Sequence, residues 1–514
     1  MMGILRTILF AATGLAATGA AFAQQTDSAS LFRTQREHAS PVAALAATAY
    51  ATPALRSEAF SGSLSEISVG YEMRREEKAL EQQKGDGGDF GRFSAGSYKH
   101  ISGKGTVWGD AGYLRGAKRN VVWNASSDYD LVFPYVVADS IGGDLTSEEY
   151  TFGGGYGHRS GRYTWALEAG ARALHEYRDS DPRIRNVAID IDAGAGASVR
   201  MGNYRLGLSA ALRVYKQSGS QIQYAHSAGE KGVYHLSGLG SHYAGFEGNA
   251  NSQTRYRGSG YGLTLALVPD AGRGGLHLAA GYEYLHIEKE LPGSADLVLQ
   301  KVVPRSFHAE AAWLRGSGNG LRWGVALKAR YDYRRGDEGI VDDNNSSQGS
   351  GTLGFLTLFE YSALQGRAEA VFGVEAAGHA WYVCPWGEYR RRTSDYLYPA
   401  QNMEFTRAGG GVDFRCVLQR RSLLLRLEAG GGYTAGLDSG LTLPVADLAA
   451  PLVRMVQYDY DRLRQDAATF RLGLRADYAL RRRMSLFLAA DYGGGLYGDN
   501  TAAHHARVAC GIAF

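Results

Sequence analysis

Leu321-Arg322-Trp323-Gly324-Val325-Ala326-Leu327-Lys328-Ala329-Arg330-Tyr331-Asp332-Tyr333-Arg334 is the stretch on which the fold turns. Its odd positions are Leu, Trp, Val, Leu, Ala, Tyr and Tyr, and its even positions are Arg, Gly, Ala, Lys, Arg, Asp and Arg. Successive side chains of a strand point to opposite faces, so one face is apolar with aromatic ends and the other is charged or tiny. Residues 204–214 and 470–481 repeat the pattern. Such runs, on the order of 10 to 15 residues, exceed the five or six of most soluble strands. They suit a tilted membrane strand, which needs about 9 to 11.

Alternation of this kind recurs in about 18 segments between residue 57 and the C-terminus, with 16 to 20 as the range under the even-number rule. The connections decide what they build. Short ones, such as Ser102-Gly103-Lys104, Ser160-Gly161, Met201-Gly202, Leu364-Gln365-Gly366 and Gln419-Arg420-Arg421, alternate with long ones at 73–88, 119–145, 218–254, 381–403 and 435–467. Residues 350–362 and 367–380 read as the two strands around Leu364-Gln365-Gly366. An unpaired backbone group in hydrocarbon costs several kcal/mol, so a membrane sheet must close on itself. The pattern predicts an all-β, single-chain antiparallel transmembrane β-barrel with short periplasmic turns and long extracellular loops.

Composition agrees once it is sorted by parity. Glycine supplies 69 of 514 residues but with no three-residue period, and 45% hydrophobic content excludes a collagen-like or disordered chain. No run of about 20 apolar residues follows the N-terminus, so helical membrane spans are excluded. A formal charge of +3 implies no nucleic-acid partner. The 32 tyrosines suit interface girdles, where ring and hydroxyl each find their medium. Cys384, Cys416 and Cys510 are widely spaced and form no metal or redox motif.

The N-terminus carries an address. Arg6, an apolar stretch at 8–17 and Ala21-Phe22-Ala23 read as a secretory signal, residues 1–23, cleaved near Ala23. Residues 24–56 form a periplasmic or lumenal segment whose alanine-rich 44–50 predicts a short helix stopped near Pro53. Residues 57–514 are the barrel. The last strand alternates to a terminal Phe514. That terminus resembles the assembly signal of bacterial outer-membrane barrels, which implies the barrel-assembly machinery as a partner. The expected location is the outer membrane of a Gram-negative bacterium, with membrane lipid and lipopolysaccharide around the wall.

The inward parity carries Arg205, Arg213, Arg322, Lys328, Arg330, Asp332, Asp413, Arg415, Arg426, Glu428, Arg471, Arg475 and Asp477, and also Glu168, Arg172, Asp190 and Asp192. These are the candidate lumen-lining residues. Both signs are present, so cross-strand pairs such as Arg426 and Glu428 with Asp477 and Arg475 can form a wall-stabilising ladder. The same groups can line a polar permeation path. The ladder is favoured.

No nucleophile elbow, zinc motif or phosphate loop occurs, so no catalytic, cofactor or metal residues are assigned and no enzyme is expected. His226, His235 and His242 in one loop read as solvated side chains in preference to a metal site. Asp337, Glu338 and 342–345 read as a solvated acidic turn. Trp381, Tyr382, Trp386 and Arg390-Arg391-Arg392 read as a loop forming an interface girdle with snorkelling arginines.

Tyr50-Ala51-Thr52-Pro53-Ala54-Leu55 resembles the N-terminal Asn-Pro-Ala segment of FadL-like transporters of hydrophobic compounds, with Thr52 where those have Asn. That resemblance implies an N-terminal hatch in the barrel. Residues 177–186, 213–217, 234–240 and 334–340 resemble an uncharacterised outer-membrane β-barrel family of Bacteroidota. It implies the barrel and the membrane, and no site residues. The expected function is a channel or transporter for small solutes or hydrophobic compounds. The alternative is a non-conducting surface barrel that binds a partner lipoprotein through its outer loops. An outer-membrane enzyme ranks third.

Overall fold

The computed structural model describes residues 28–514 apart from 220–232, 244–252, 271–273, 293–296, 317–319, 342–351, 445–449 and 482. The expected signal sequence therefore lies outside the described residues. So do His226 and the acidic positions 342–345.

Eighteen strands form one antiparallel sheet. The first nine barrel strands are β1 (Leu64–Glu76), β2 (Gly87–His100), β3 (Gly105–Val121), β5 (Gly143–Ser160), β6 (Tyr163–Tyr177), β7 (Arg185–Met201), β8 (Tyr204–Gly219), β11 (Thr254–Pro269) and β12 (Gly275–Leu291). The next nine are β13 (Leu297–Arg315), β14 (Gly320–Val341), β15 (Thr352–Glu375), β16 (His379–Tyr396), β17 (Gln401–Arg420), β18 (Leu423–Thr442), β19 (Ala467–Arg481), β20 (Met484–Tyr497) and β21 (Ala502–Ala513). Each pairs with the next, and β1 pairs with β21 from Glu66–Ala513 to Glu76–Ala503, so the sheet closes. The count expected from alternation is the count found.

The two faces follow parity. On β14, Leu321 and Leu327 are 67% and 66% exposed, while Ala326 between them is 2%. Leu208 and Leu212 on β8 and Leu472 on β19 are likewise exposed. So broad an apolar surface is untenable in water and is the lipid belt of a membrane barrel. Exposed Tyr163, Trp165, Trp313, Trp381 and Phe514 ring one edge; exposed Tyr71, Tyr150, Tyr261, Phe307 and Tyr492 ring the other. At the first edge the strands join tightly. Gly161 and Gly202 take φ of +61° and +62° in two-residue turns, a conformation that penalises a Cβ.

One pair of strands departs from the expectation. β15 runs unbroken through Leu364-Gln365-Gly366, pairing Gly366 with Ala329 on one side and Tyr389 on the other. The turn falls at 376–378, and the expected loop 381–403 is mostly β16. Pro385, Gly387 and three consecutive arginines hid its period. In the strand, Arg391 points outward to Glu404 at 3.6 Å. Arg390 points inward to Glu388 at 3.0 Å, and Arg392 faces Glu81 at 3.8 Å. The total is unchanged because β15 replaces two expected strands and β16 replaces an expected loop.

Candidate functional site

Both mouths of the lumen are stopped by the chain itself. At the end of the tight turns stand four helices: α1 (Ser28–His38), α2 (Pro41–Ala44), α3 (Ala47–Ala51) and α4 (Pro53–Arg56). The expected helix at 44–50 is divided between α2 and α3. Ser40 caps α2, its hydroxyl accepting from Ala43 N, and prolines stand at the starts of α2 and α4, where a missing N–H costs nothing. Apolar side chains of this segment meet the inner wall all round. Phe32, Val42 and Leu45 pack on Leu314, Val371, Val417 and Leu424. Leu31 packs on Phe487 and Ala513, and Leu55 on Ala266, Val268 and Ala279.

Polar ties fasten this plug. Arg205 joins plug Glu58 at 3.2 Å and wall Asp270 at 2.8 Å. Arg322 joins Glu375 at 3.0 Å, and plug Arg36 reaches the same carboxylate at 4.0 Å. Thr48 donates to Glu310 at 2.7 Å, which Lys328 approaches at 3.8 Å while holding Glu369 at 2.8 Å. Arg415 donates to Ala39 O at 2.8 Å. Asp477 is fully buried; it accepts from plug Gln35 at 3.1 Å and pairs with Arg426 at 3.4 Å and Arg475 at 2.9 Å.

The other mouth is closed by outer loops: α5 (Tyr129–Val132), β4 (Val137–Asp139), β9 (Val233–Gly238), β10 (Ser241–His242) and α6 (Pro451–Leu463). The three short strands make a small sheet of their own. Tyr135, Val136, Leu236, Phe359, Phe405, Leu452, Met455 and Val456 form one buried cluster that continues into the wall at Tyr215 and Tyr256. His235 is a core residue here, fully buried, and burial followed by the nearby Lys289 holds its pKa well below the usual histidine range. It is no solvated loop side chain. Arg178 and Asp139, both without exposed side-chain surface, pair at 3.2 Å.

Between plug and cap lies a cavity of about 840 Å³. Plug Arg56 stands at its base, Tyr129 and Phe133 at its roof, and Glu168, Arg172, Asp190, Asp192, Arg213, Glu283, Arg330 and Asp332 on its walls. Three pairs are closed: Arg213–Asp190 at 2.5 Å, Arg172–Asp128 at 2.5 Å and Arg330–Asp332 at 2.9 Å. Ser306 donates to Asp332 as well. The lining is charged, not a hydrophobic tunnel.

The thirteen sequence-nominated residues therefore share the inner wall but not one site. Arg213, Arg330 and Asp332 line the large cavity. Arg205, Arg415 and Asp477 touch the plug directly, Arg322 and Lys328 pair with the wall carboxylates Glu375 and Glu310 that plug residues also reach, and Arg426 and Arg475 sit on Asp477. Asp413 pairs with Arg471 at 2.6 Å, and Glu428 with Arg415 at 2.9 Å, around a smaller cavity of about 250 Å³. Of the expected ladder, Arg426–Asp477 forms; Glu428 turns to Arg415, and Arg475 takes Glu66 at 2.6 Å besides Asp477. Phe514 is half exposed in the aromatic edge, its backbone paired with Ser65. Sequence reasoning missed Arg56, Trp108 and Glu283. The last two carried a usable signal, because they fall on the inward parity of β3 and β12.

An apolar belt outside, charges inside and a lumen stopped at both ends define a plugged transmembrane β-barrel of the outer-membrane type. The chain belongs to the family of unknown function DUF6850, whose model matches residues 53–514. No curated protein matches it significantly. Among solved structures it is similar to the alcaligin outer-membrane receptor FauA of Bordetella pertussis, with 9% identity, 86% of this chain and 76% of that one covered, and a TM-score of 0.35. It is similar to the ferric preacinetobactin receptor BauA of Acinetobacter baumannii, at 9% identity, 88% and 79% covered, and a TM-score of 0.37. A mutant ferric enterobactin receptor PfeA of Pseudomonas aeruginosa gives 10% identity, 88% and 80% covered, and a TM-score of 0.37. The Bacteroidota and FadL-like resemblances are not shown by these findings.

Proposed function

We propose that this protein is a gated transporter in the outer membrane of a Gram-negative bacterium, passing a small polar solute through a lumen that its own N-terminal segment closes. The observation that carries this reading is the cavity of about 840 Å³, rich in charged side chains, that lies between plug and cap. A barrel built only to display loops has no use for such a chamber, and a passive pore has no use for the plug. Helices α1–α4 pack against the inner wall at several strands, which supports a closed resting state. Passage requires the plug ties to yield. Hydrophobic cargo is disfavoured, because desolvated charges around it would go unpaired.

Planar-bilayer recording tests the reading. The native protein is expected to give no stable ionic steps. A variant lacking residues 28–62, or one carrying Glu310→Lys with Glu375→Lys, is expected to give them. Heat-modifiable gel mobility establishes that each variant is folded. Folded variants that stay silent would favour the non-conducting surface barrel instead.

A further inference from the structure

Where the wall meets the cap, a buried amine faces a buried amide, and transport uses neither. Lys289 lies near the outer end of β12, past the Tyr282–Phe307 pair, with Gln300 on β13 as its cross-strand neighbour. Glu338 on β14 is the neighbour of Gln300 on the other side. Lys289, Gln300 and Ser237 of β9 are fully buried, and Glu338 is nearly so. Ile287, Val302, Leu236 and Tyr396 of the cap core belong to the same buried region. The β12–β13 register shifts at Lys289/Glu290, a bulge of the kind that re-aims side chains.

The amine is poised as a nucleophile. Lys289 Nζ donates to Gln300 Oε1 at 2.9 Å and to Val136 O at 3.4 Å. Among the described residues no carboxylate stands within ion-pair distance of it. Burial without a counter-ion disfavours the ammonium and holds Lys289 well below the usual lysine range. The amide nitrogen of Gln300 is held on its other side. Nε2 donates to Leu236 O at 3.3 Å and to Ser237 Oγ at 3.2 Å. Ser237 also bonds the Glu338 carboxyl, which accepts from Tyr396 Oη at 3.0 Å. Burial pushes Glu338 up to about 7, so it can hold a proton near neutral pH.

We propose that Lys289 and Gln300 condense into an intramolecular isopeptide bond once the cap has closed over them. The Nζ lone pair attacks Gln300 Cδ; the Nζ–Cδ bond forms, the Cδ–Nε2 bond breaks, and ammonia leaves. One proton passes from Nζ to Nε2. Glu338 relays it through the Ser237 hydroxyl and ends as it began. No oxidant, reductant or co-reactant enters. Proximity supplies the rate, since well-oriented intramolecular partners act at effective concentrations of about 10⁵–10⁸ M. The bond staples β12 to β13 beneath β9 and fixes the wall on which the cap sits. It is independent of the transport reading.

The test is trypsin digestion and mass spectrometry of the full-length protein, with heat-modifiable gel mobility as the check on folding. The native protein is expected to yield residues 274–301 as one peptide, uncut after Lys289 and lighter than its sequence by one ammonia. Fragmentation should place the deficit in the Lys289–Gln300 loop. Residues 290–301 at full mass, as the main product of folded protein, would overturn the proposal. Lys289→Met is expected to abolish the ammonia deficit, and a deficit that persists there would also overturn it. Glu338→Gln is expected to lower the linked fraction at least ~10-fold. Glu338→Asp, which keeps a carboxyl, is expected to restore part of it. Unchanged linkage in folded Glu338→Gln would overturn the relay through Ser237.

Discussion

The two stoppers of the lumen are built from opposite chemistry. The plug is fastened by dispersed polar ties and by separate apolar clusters beneath its helices. The extracellular cap is one continuous apolar core rich in aromatic rings. Apolar burial is non-directional and insensitive to charge, whereas buried ion pairs are held near balance between attraction and desolvation. A competing charge can therefore undo the plug and leave the cap intact. On the transport reading proposed above, the plug is then the moving part and the cap the fixed filter.

Phe359→Ala should produce the largest effect on that contrast. The ring is fully buried and stands edge-on to Phe133 at 5.5 Å. Its loss is expected to cost about 3–5 kcal/mol of cap stability. Hydrogen exchange should show deprotection of α5 and β9 with the plug helices unchanged. Equal deprotection of α1–α4 would mean that the two stoppers are one cooperative unit, and the contrast would be gone.

The cap nevertheless has a charge-sensitive seat on α6. Asp459 on α6 is pushed up to about 7 from 3.8, first by burial and further by Glu81, with Arg392 pulling the other way. It accepts from Gln83 Nε2 at 2.7 Å and from Gln82 N at 3.3 Å. The folded cap thus holds a proton that the unfolded loop gives up above about pH 4. Stability from this group is full below about pH 4 and is lost as pH rises through about 7. Between pH 5 and 7 protection of α6 should fall about 50-fold after correction for intrinsic exchange. Asp459→Asn should flatten the profile. A native profile that rises with pH would refute the assignment of Asp459 as the controlling group.

How far these parts were legible in the chain differs for a physical reason. The wall was legible because a membrane strand repeats every two residues and must show lipid one face only; Leu321 to Arg334 states the rule by itself. It failed at β15 and β16, where Gly366, Pro385 and Gly387 sit inside strands and imitate turns. The inward set was legible by the same parity. Its division into chamber, plug ties and minor cavity was not, because partners such as Glu58–Arg205 and Gln35–Asp477 lie far apart in sequence. Of the plug, the sequence shows only a short alanine-rich helix at 44–50. Helices of four or five residues have little local signal, and they exist here because the wall packs them.

The smallest effect is the most discriminating for the plug. Thr48→Val keeps the shape of α3 and removes only the 2.7 Å hydrogen bond to Glu310. A hydrogen bond to a charged acceptor is worth about 1.5–3 kcal/mol. Glu310 keeps Lys328 at 3.8 Å, so the carboxylate is not stranded. One tie among several should leave the barrel folded and its heat-modified mobility unchanged, but brief current openings should appear in bilayers where the native protein shows none. Adding Arg415→Gln, which weakens the bond to Ala39 O, should lengthen them roughly additively, because the two ties share no partner. Silence from both variants would mean that apolar contacts of Phe32 and Leu55 hold the plug, and that its fastening differs from the cap's in amount and not in kind.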